Sequence, residues 1–321
     1  MKLFLRISII FFGVLSVAAF LVSLLLIQDL GIQSPGDNSH PLEYHIALYL
    51  PDNQNSFFAD VIRGAEQAAA ELNASISLHS INPMKQELEM ASYAGIDGAL
   101  VCPYLDDALA RRQLEKLRAE NIPVVLINHN VMNDQPWPFI GTNNFDIGRR
   151  MGMIARNTIA SDLNNGQVRP VLVFSEKSPG IYSERELVEM GIAASLGDRL
   201  ASPIITMRTT LNPLDAEEII NGLFRSTTEI NTIIFTDSSD TIAAAHALID
   251  MNLVGQVQVI GFGNDPVILE NIRKGIIAGS IVVNSERMGY EAVQSLISLR
   301  SSGYTSTSID TGVTIVDRNT L

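Results

Sequence analysis

From residue 44 onward the sequence repeats one unit: a short β-rich run, a polar or Gly/Pro turn, and a stretch with helical periodicity. Such a unit predicts a parallel sheet wrapped by helices. Two sets of four to five strands fit two similar Rossmann-like lobes better than one sheet. The sequence therefore predicts an α/β fold of two lobes. The nine β-rich runs lie at residues 45–50, 75–80, 98–103, 123–128, 170–175, 204–209, 231–236, 257–262 and 277–283.

Residues 1–30 have the pattern of a membrane anchor or signal segment. Lys2 and Arg6 precede an uncharged run at 7–27, which at a rise of about 1.5 Å per residue is long enough to cross a bilayer. A small-x-small cleavage site is poorly matched after the run, which favours an uncleaved anchor. The two basic residues then place the N-terminus in the cytoplasm and the rest outside, and the polar segment 31–43 is typical of a flexible tether.

Composition and missing motifs exclude several classes of function. The net charge of -13, from 22 Lys+Arg against 35 Asp+Glu, would repel nucleic acid. Cys102 is the single cysteine, so no intramolecular disulfide can form, and the histidines show no zinc spacing. "GFGNDP" lacks the third glycine of a dinucleotide fingerprint, and no nucleophile elbow, HExxH motif or P-loop lysine occurs. We expect no metal, no cofactor and no enzymatic activity, with an anchored enzyme acting on a small sugar as the less favoured alternative.

Polar and aromatic residues follow four of the predicted strands. In such sheets the ligand lies beyond the carboxyl ends of the strands. Amides, hydroxyls and carboxylates can bond to neighbouring sugar hydroxyls, and aromatic faces can cover the C–H patches of a sugar ring. The pattern therefore predicts a polyhydroxylated, monosaccharide-sized ligand. The residues concerned are Asn53, Asn55, Phe57, Phe58, Asn128, His129, Asn130, Asp237, Ser238, Ser239, Gly263, Asn264 and Asp265.

Several of these residues have a structural alternative. Phe58 shares a helical stripe with the apolar residues 62, 65, 69 and 72, so it fits a helix core as well as a ligand contact, whereas Phe57 lies off the stripe and is expected to face the cleft. Asp237 and Asp265 can equally cap the helices that follow them. For His129 a surface position, a metal ligand and a sugar contact all remain open.

The order of the motifs resembles the type I periplasmic sugar-binding proteins, the ribose- and galactose-binding group that also supplies the effector domain of lactose-repressor-like regulators. The resemblance covers about residues 44 to 317. It is carried by segments such as "IALYLPDNQNSFFADVIRGAEQAAAEL", "INTIIFTDSSDTIAAAHAL" and "VQVIGFGNDPVILENIRKGIIAGSIVVN".

The resemblance implies roles for individual residues in the first lobe. Asn55 matches an asparagine that bonds the sugar, and Phe57 and Phe58 match rings that clamp its face. Asn128 and His129 fall where ribose-like members have an Asp-Arg pair for the sugar hydroxyls.

In the second lobe the match is less regular. Asp237 falls at the Asn or Asp that follows a strand. Gly263 stands where an aspartate is expected, with Asn264 and Asp265 next to it, and Arg185 offers the expected arginine one place out of register. The resemblance therefore implies a ligand site that differs from a ribose site.

The resemblance also implies how the protein works: the lobes close on a monosaccharide, through a hinge that includes Asn143 and Asn284, and the closed form is presented to an ABC sugar permease. A sugar receptor that signals to a membrane histidine kinase is the alternative. A DNA-binding regulator is disfavoured because the anchor occupies the place of a helix-turn-helix. The location implied is the extracytoplasmic face of a bacterial membrane, in the periplasm or cell envelope. The expected N-terminal lobe is 44–142 plus 284–305 and the C-terminal lobe is 143–283 plus 306–321, with the last crossing near Ser306.

Overall fold

The computed structural model describes residues 16–17, 20, 44–51, 56–81, 87–104, 106–159, 166–225 and 229–321. The chain divides into two compact units, Met1–Leu42 and Glu43–Leu321. The predicted anchor and tether lie almost wholly outside the described residues. Within those residues, no helix combines the length and the apolar character needed to cross a membrane.

The described part of the second unit contains twelve strands. Several of them, such as residues 98–101, 124–127 and 232–235, are buried along their whole length, as expected for continuous Val/Ile/Leu runs in a parallel sheet covered on both faces. The strands are β1 (Tyr44–Pro51), β2 (Ala74–Ile81), β3 (Gly98–Val101), β4 (Val124–Ile127), β5 (Phe139–Gly141), β6 (Pro170–Ser175), β7 (Ile205–Thr209), β8 (Thr232–Phe235), β9 (Gln258–Phe262), β10 (Gly279–Val283), β11 (Ser308–Asp310) and β12 (Val313–Asp317).

Helices cover both faces of the sheets. In the N-terminal lobe the apolar stripe of one helix, including Phe58 and Val61, packs into the core, and in the C-terminal lobe Ile147 and Val188 do the same from two neighbouring helices. The helices are α1 (Ser56–Glu71), α2 (Glu87–Met90), α3 (Asp107–Ala119), α4 (Asn144–Thr158), α5 (Pro179–Ser183), α6 (Arg185–Leu196), α7 (Asp215–Arg225), α8 (Ser238–Asp250), α9 (Pro266–Lys274) and α10 (Ser285–Ser302).

The strands form two six-stranded sheets, one in each lobe. The first has the order β11-β5-β4-β3-β1-β2 and is parallel throughout. The second has the order β12-β10-β9-β8-β6-β7, with β12 antiparallel to β10. Helix α10 returns to the first lobe and packs on α1, while α4 packs on α6 in the second. The predicted two-lobed α/β fold is confirmed.

Along the residues that the structure describes, the chain passes between the sheets three times, and the last crossing differs from the prediction. Strand β11 pairs with β5 in the first sheet, so the chain leaves that lobe after Asp310 and not near Ser306. The three crossings lie side by side: the hydroxyl oxygens of Thr142 and Thr311 are 3.4 Å apart, and the Asn284 N–H donates to the Gly312 carbonyl over 3.3 Å. Strand β11 has only three residues and little β-rich sequence, and it is stabilised by pairing with β5, which is distant in the sequence. The local sequence pattern therefore does not reveal it.

Candidate functional site

A cavity lies between the lobes at the carboxyl ends of the parallel strands, where the topology predicts a ligand. Its volume is about 40 Å³, room for about three water molecules. The first lobe contributes Phe57, Phe58, Asp60, Asn128, Thr142 and Ser285, and the second contributes Lys177, Ser178, Ile181, Asp237, Phe262 and Asn264.

Two adjacent rings form the aromatic part of the cavity. Phe57 and Phe58 occupy the first turn of α1, with ring centroids 5.1 Å apart and planes at 85°. Phe58 is only 3% exposed and belongs both to the core and to the cavity lining. The two alternatives predicted for it, a helix-core position and a position at the ligand site, therefore both apply. Phe57 is half-buried and presents the more accessible ring. Asn55, the third predicted residue of this loop, lies outside the described residues.

Asn128 and His129 follow β4 but end in different places. Asn128 has a left-handed backbone, with φ of 62°, and lines the cavity. The His129 ring is fully buried outside the lining, with Nε2 2.7 Å from Asp107 Oδ1 and Nδ1 3.1 Å from the Pro179 carbonyl oxygen. The structure therefore does not support the predicted sugar contact of His129, because the left-handed turn at Asn128 directs the next side chain toward α3 and α5.

Asp237 is both a helix cap and a cavity residue. Its Oδ1 accepts hydrogen bonds from the N–H groups of Ser239 and Asp240 over 2.9 and 3.2 Å at the start of α8, while Oδ2 accepts from the Ser178 hydroxyl over 3.3 Å. The side chain is 2% exposed. Burial, followed by the charge of Asp240, raises the pKa of Asp237 above its usual range. The site therefore holds a carboxylate in an unfavourable environment, a feature common at ligand sites.

Lys177 is the cation of the cavity, and the sequence reasoning missed it. Its Nζ lies 2.6 Å from Asp240 Oδ1, and the two side chains are 10% and 1% exposed. The other oxygen of Asp240 accepts a hydrogen bond from the Thr209 hydroxyl. Lys177 follows β6, so the rule that points to the ends of strands would have found it if applied to the fifth β-rich run.

Arg185 does not supply the predicted cation. Its side chain is exposed outside the cavity lining, with the guanidinium carbon 5.6 Å from the centroid of the Tyr182 ring and Nη1 donating to the Tyr182 carbonyl over 3.3 Å. Because Arg185 is the first residue of α6, a shift of one position along the chain changes the helix face on which the side chain lies.

Asn264 and Asp265 also separate. Asn264 lines the cavity at its exposed edge. Asp265 lies outside the lining and caps α9, accepting a hydrogen bond from the Val267 N–H over 2.9 Å. Of its two predicted positions, the structure supports the cap, the common position for Asp at the start of a helix.

The two predicted hinge residues sit directly after chain crossings. Asn143 caps α4 by accepting from the Asp146 N–H, and Asn284 caps α10 by accepting from the Arg287 N–H, both over 3.1 Å. Each helix therefore begins at a capped residue next to a crossing. The hinge role of these two residues stays a prediction.

No metal-binding group stands out in the part of the chain that the structure describes, where no cluster of three or more His, Cys, Asp or Glu side chains occurs. Cys102 is fully buried, and burial raises the pKa of its thiol to about 12. Such a thiol stays protonated at neutral pH and is a poor nucleophile.

Residues 46–303 match the family model of the periplasmic binding protein domain. The chain belongs to this family. The fold is similar to that of GanP, a glucose-galactose binding protein from Geobacillus stearothermophilus, at 20% identity with a TM-score of 0.74, covering 87% of this chain and 98% of GanP. No match is found among curated proteins.

Two further solved structures share the fold. An ABC transporter solute binding protein from Agrobacterium vitis with bound D-fucose is 19% identical with a TM-score of 0.71, covering 86% of this chain and 96% of the other. XylFII, in a XylFII-LytSN complex, is 22% identical with a TM-score of 0.71, covering 88% and 100%. The predicted family resemblance is thus confirmed, and this chain is of the solute-binding type.

Proposed function

We propose that this protein is an extracytoplasmic solute-binding protein that traps a monosaccharide between its lobes and presents the closed form to an ABC sugar permease. The proposal rests on the cavity between the lobes, which is lined by residues of both. Phe57 and Phe58 of one lobe face a buried carboxylate, Asp237, and a buried ammonium group, Lys177, of the other. Rings suit the C–H face of a sugar, and the polar groups suit its hydroxyls.

The closing mechanism follows from this division of the site. A ligand that touches both lobes binds the closed form more tightly than the open one, and this difference in affinity shifts the equilibrium toward closure. The protein acts by binding and release, without chemical conversion of the sugar. The N-terminal segment 1–30 holds it at the membrane in this proposal, near its partner. The sugar-binding names of GanP and of the Agrobacterium vitis protein support it.

A receptor role is the second candidate, because one relative by fold, XylFII, was solved in a complex with another protein, LytSN. In that role the closed lobes would bind a sensory membrane protein. The two candidates share the same sugar site and differ in the surface partner. Cross-linking in native membranes with and without the sugar, followed by mass spectrometry, distinguishes a permease from a kinase.

The test is thermal unfolding of the full chain in detergent against pentoses, hexoses and D-fucose. A ligand at 100 times its Kd adds about 2.7 kcal/mol to the free energy of unfolding, a shift of several degrees. We expect one sugar to raise the midpoint, Phe57→Ala to remove the shift, and the control Arg185→Ala, outside the cavity, to retain it. A shift from amino acids or nucleosides but from no sugar would overturn the assignment. Recovery of a changed sugar after long incubation would overturn the binding-only mechanism.

A further inference from the structure

His129 links the two lobes at a point outside the cavity lining. It follows β4 in the first lobe, and its ring is completely buried. Nε2 lies 2.7 Å from Asp107 Oδ1 at the start of α3, in the same lobe. Nδ1 lies 3.1 Å from the carbonyl oxygen of Pro179 at the start of α5, in the other lobe.

Both partners of this ring are hydrogen-bond acceptors. A carbonyl oxygen cannot donate, and a carboxylate cannot donate either. A neutral imidazole carries one N–H, so in either tautomer one ring nitrogen would point a lone pair at an acceptor. An imidazolium carries two N–H groups and satisfies both partners. The arrangement of the lobes in this structure therefore fits the protonated ring.

The lobes touch directly at this place. A Cβ atom added to Gly180 would lie 2.1 Å from the carbonyl oxygen of Asn128, so only glycine permits the approach of α5 to the loop after β4. The Asn144 side-chain amide donates to the Gly180 carbonyl over 3.1 Å and so helps to hold α5 in place. The contact between Pro179 and His129 is thus part of the direct packing of one lobe on the other.

Asp107 is the carboxylate that, among the described residues, lies within bonding distance of the ring. Three charged groups on the neighbouring segment 176–184 have partners of their own. Glu176 pairs with Arg208 at 3.3 Å, Glu184 accepts from Asn144 over 2.9 Å, and Lys177 pairs with Asp240. The loop after β3 contains the Cys102 thiol and the Tyr104 phenol. Burial raises the pKa of both groups, which favours their neutral forms.

We propose that His129, Asp107 and Pro179 form a proton-dependent lobe latch, which holds the lobes together when the imidazole is protonated and releases them when it is not. The latch requires that the lobes open and close, as the proposed function does, but it requires no particular ligand. Because the closed form binds the extra proton, acid favours closure. The response is limited to about tenfold per pH unit for one proton.

The experiment measures lobe closure without ligand. Spin labels at Arg112→Cys in α3 and Leu211→Cys after β7, both exposed positions, report the distance between the lobes by electron–electron resonance in the full chain. Cys102 is buried and does not take up label. We expect the ratio of closed to open molecules to be at least about threefold higher near pH 5.5 than near pH 8. In His129→Asn the ratio should not change with pH.

Asp107→Asn is the decisive second variant. Its side-chain amide can donate to Nε2 of a neutral ring while Nδ1–H donates to Pro179, so this variant should remain closed at both pH values. The variant lies in the first turn of α3 with its side chain 45% exposed, so it should fold even if His129→Asn does not. A distance ratio in the unsubstituted protein that does not change with pH, or a pH response retained in Asp107→Asn, would overturn the latch.

The sugar titration keeps the two proposals separate. If a sugar binds equally well near pH 5.5 and pH 8 and the label distances do not respond to pH, the latch is overturned and the sugar site stands. If no sugar binds but the distances respond to pH as described, the latch stands and the sugar assignment is overturned.

Discussion

The two faces of the cleft are built in different ways. The face of the first lobe consists of two rings on the first turn of α1 together with neutral polar groups such as Asn128 and Thr142. The face of the second lobe holds Lys177 and Asp237, with Asp240 behind them and almost no exposed surface. Both faces lie at the carboxyl ends of parallel strands in similar, mostly parallel sheets, so the fold sets the location and the side chains set the chemistry.

The two faces also differ in how much their side chains contribute to the stability of the fold. On the first face, Phe58 supports the core and Phe57 remains accessible beside it. On the second face, Lys177 and Asp240 form a buried ion pair, and each charge compensates the other. Removing one of them would leave the other charge buried without that partner, which is costly. Substitutions on the charged face should therefore affect folding more than those on the aromatic face.

The largest effect is expected from Asp240→Ala. It leaves the ammonium group of Lys177 buried without the carboxylate at 2.6 Å, and the free energy of unfolding should fall by about 3 to 5 kcal/mol. Urea unfolding measures the loss. Asp250→Ala, at the exposed end of the same helix, is the control and should change the value by less than about 0.5 kcal/mol. Equal effects of the two variants would show that the ion pair contributes nothing to folding.

Smaller losses of stability are expected from substituting the two rings, and the loss should differ between them. Phe58→Ala should lower the free energy of unfolding by about 3 kcal/mol because its ring is buried in the core. Phe57→Ala should lower it by about 1 kcal/mol because the ring is only half-buried. The same urea experiment measures both. If Phe57→Ala were the more destabilising variant, the accessible ring would be the structural one.

The smallest effect concerns Asp237 and depends on pH. Because its pKa is raised in the folded protein, the folded state binds the proton more tightly, and the resulting stabilisation is present in acid and lost as pH rises through that pKa. Asp237→Asn removes this loss and retains an oxygen that can cap α8. We expect the variant to gain stability relative to the original protein as pH rises from about 4 to about 7. Unfolding curves across that range would contradict this if the difference fell instead.

Much of the fold was predictable from local pattern. Strands such as β3, β4 and β8 are short apolar runs bounded by turns, and the strand–helix alternation predicts parallel pairing. Strands β5, β11 and β12 were missed. β5 and β11 have three residues each and pair with each other across more than half of the chain, and β12 pairs with β10 at the edge of the second sheet. The lobe boundary at the last crossing was misplaced for the same reason.

The site was predictable where it depends on strand ends and not where it depends on side-chain direction. The rings of α1, Asn128, Asp237 and Asn264 line one cavity because each follows a strand. His129 follows the same strand as Asn128, but a left-handed residue turns it away. The burial of Asp240 results from packing against Thr209 and Lys177, residues distant in the sequence, so no local pattern indicates it.

The position of β11 and β12 has a consequence for synthesis. The first lobe lacks helix α10 and an edge strand until Asp310 has been made, and the second lobe lacks β12 until Asp317 has been made. Neither lobe can therefore complete its sheet while the ribosome is still in the middle of the chain. Both lobes therefore complete their sheets within the short segment Ser308–Asp317, after strands β1 to β10 have all been made.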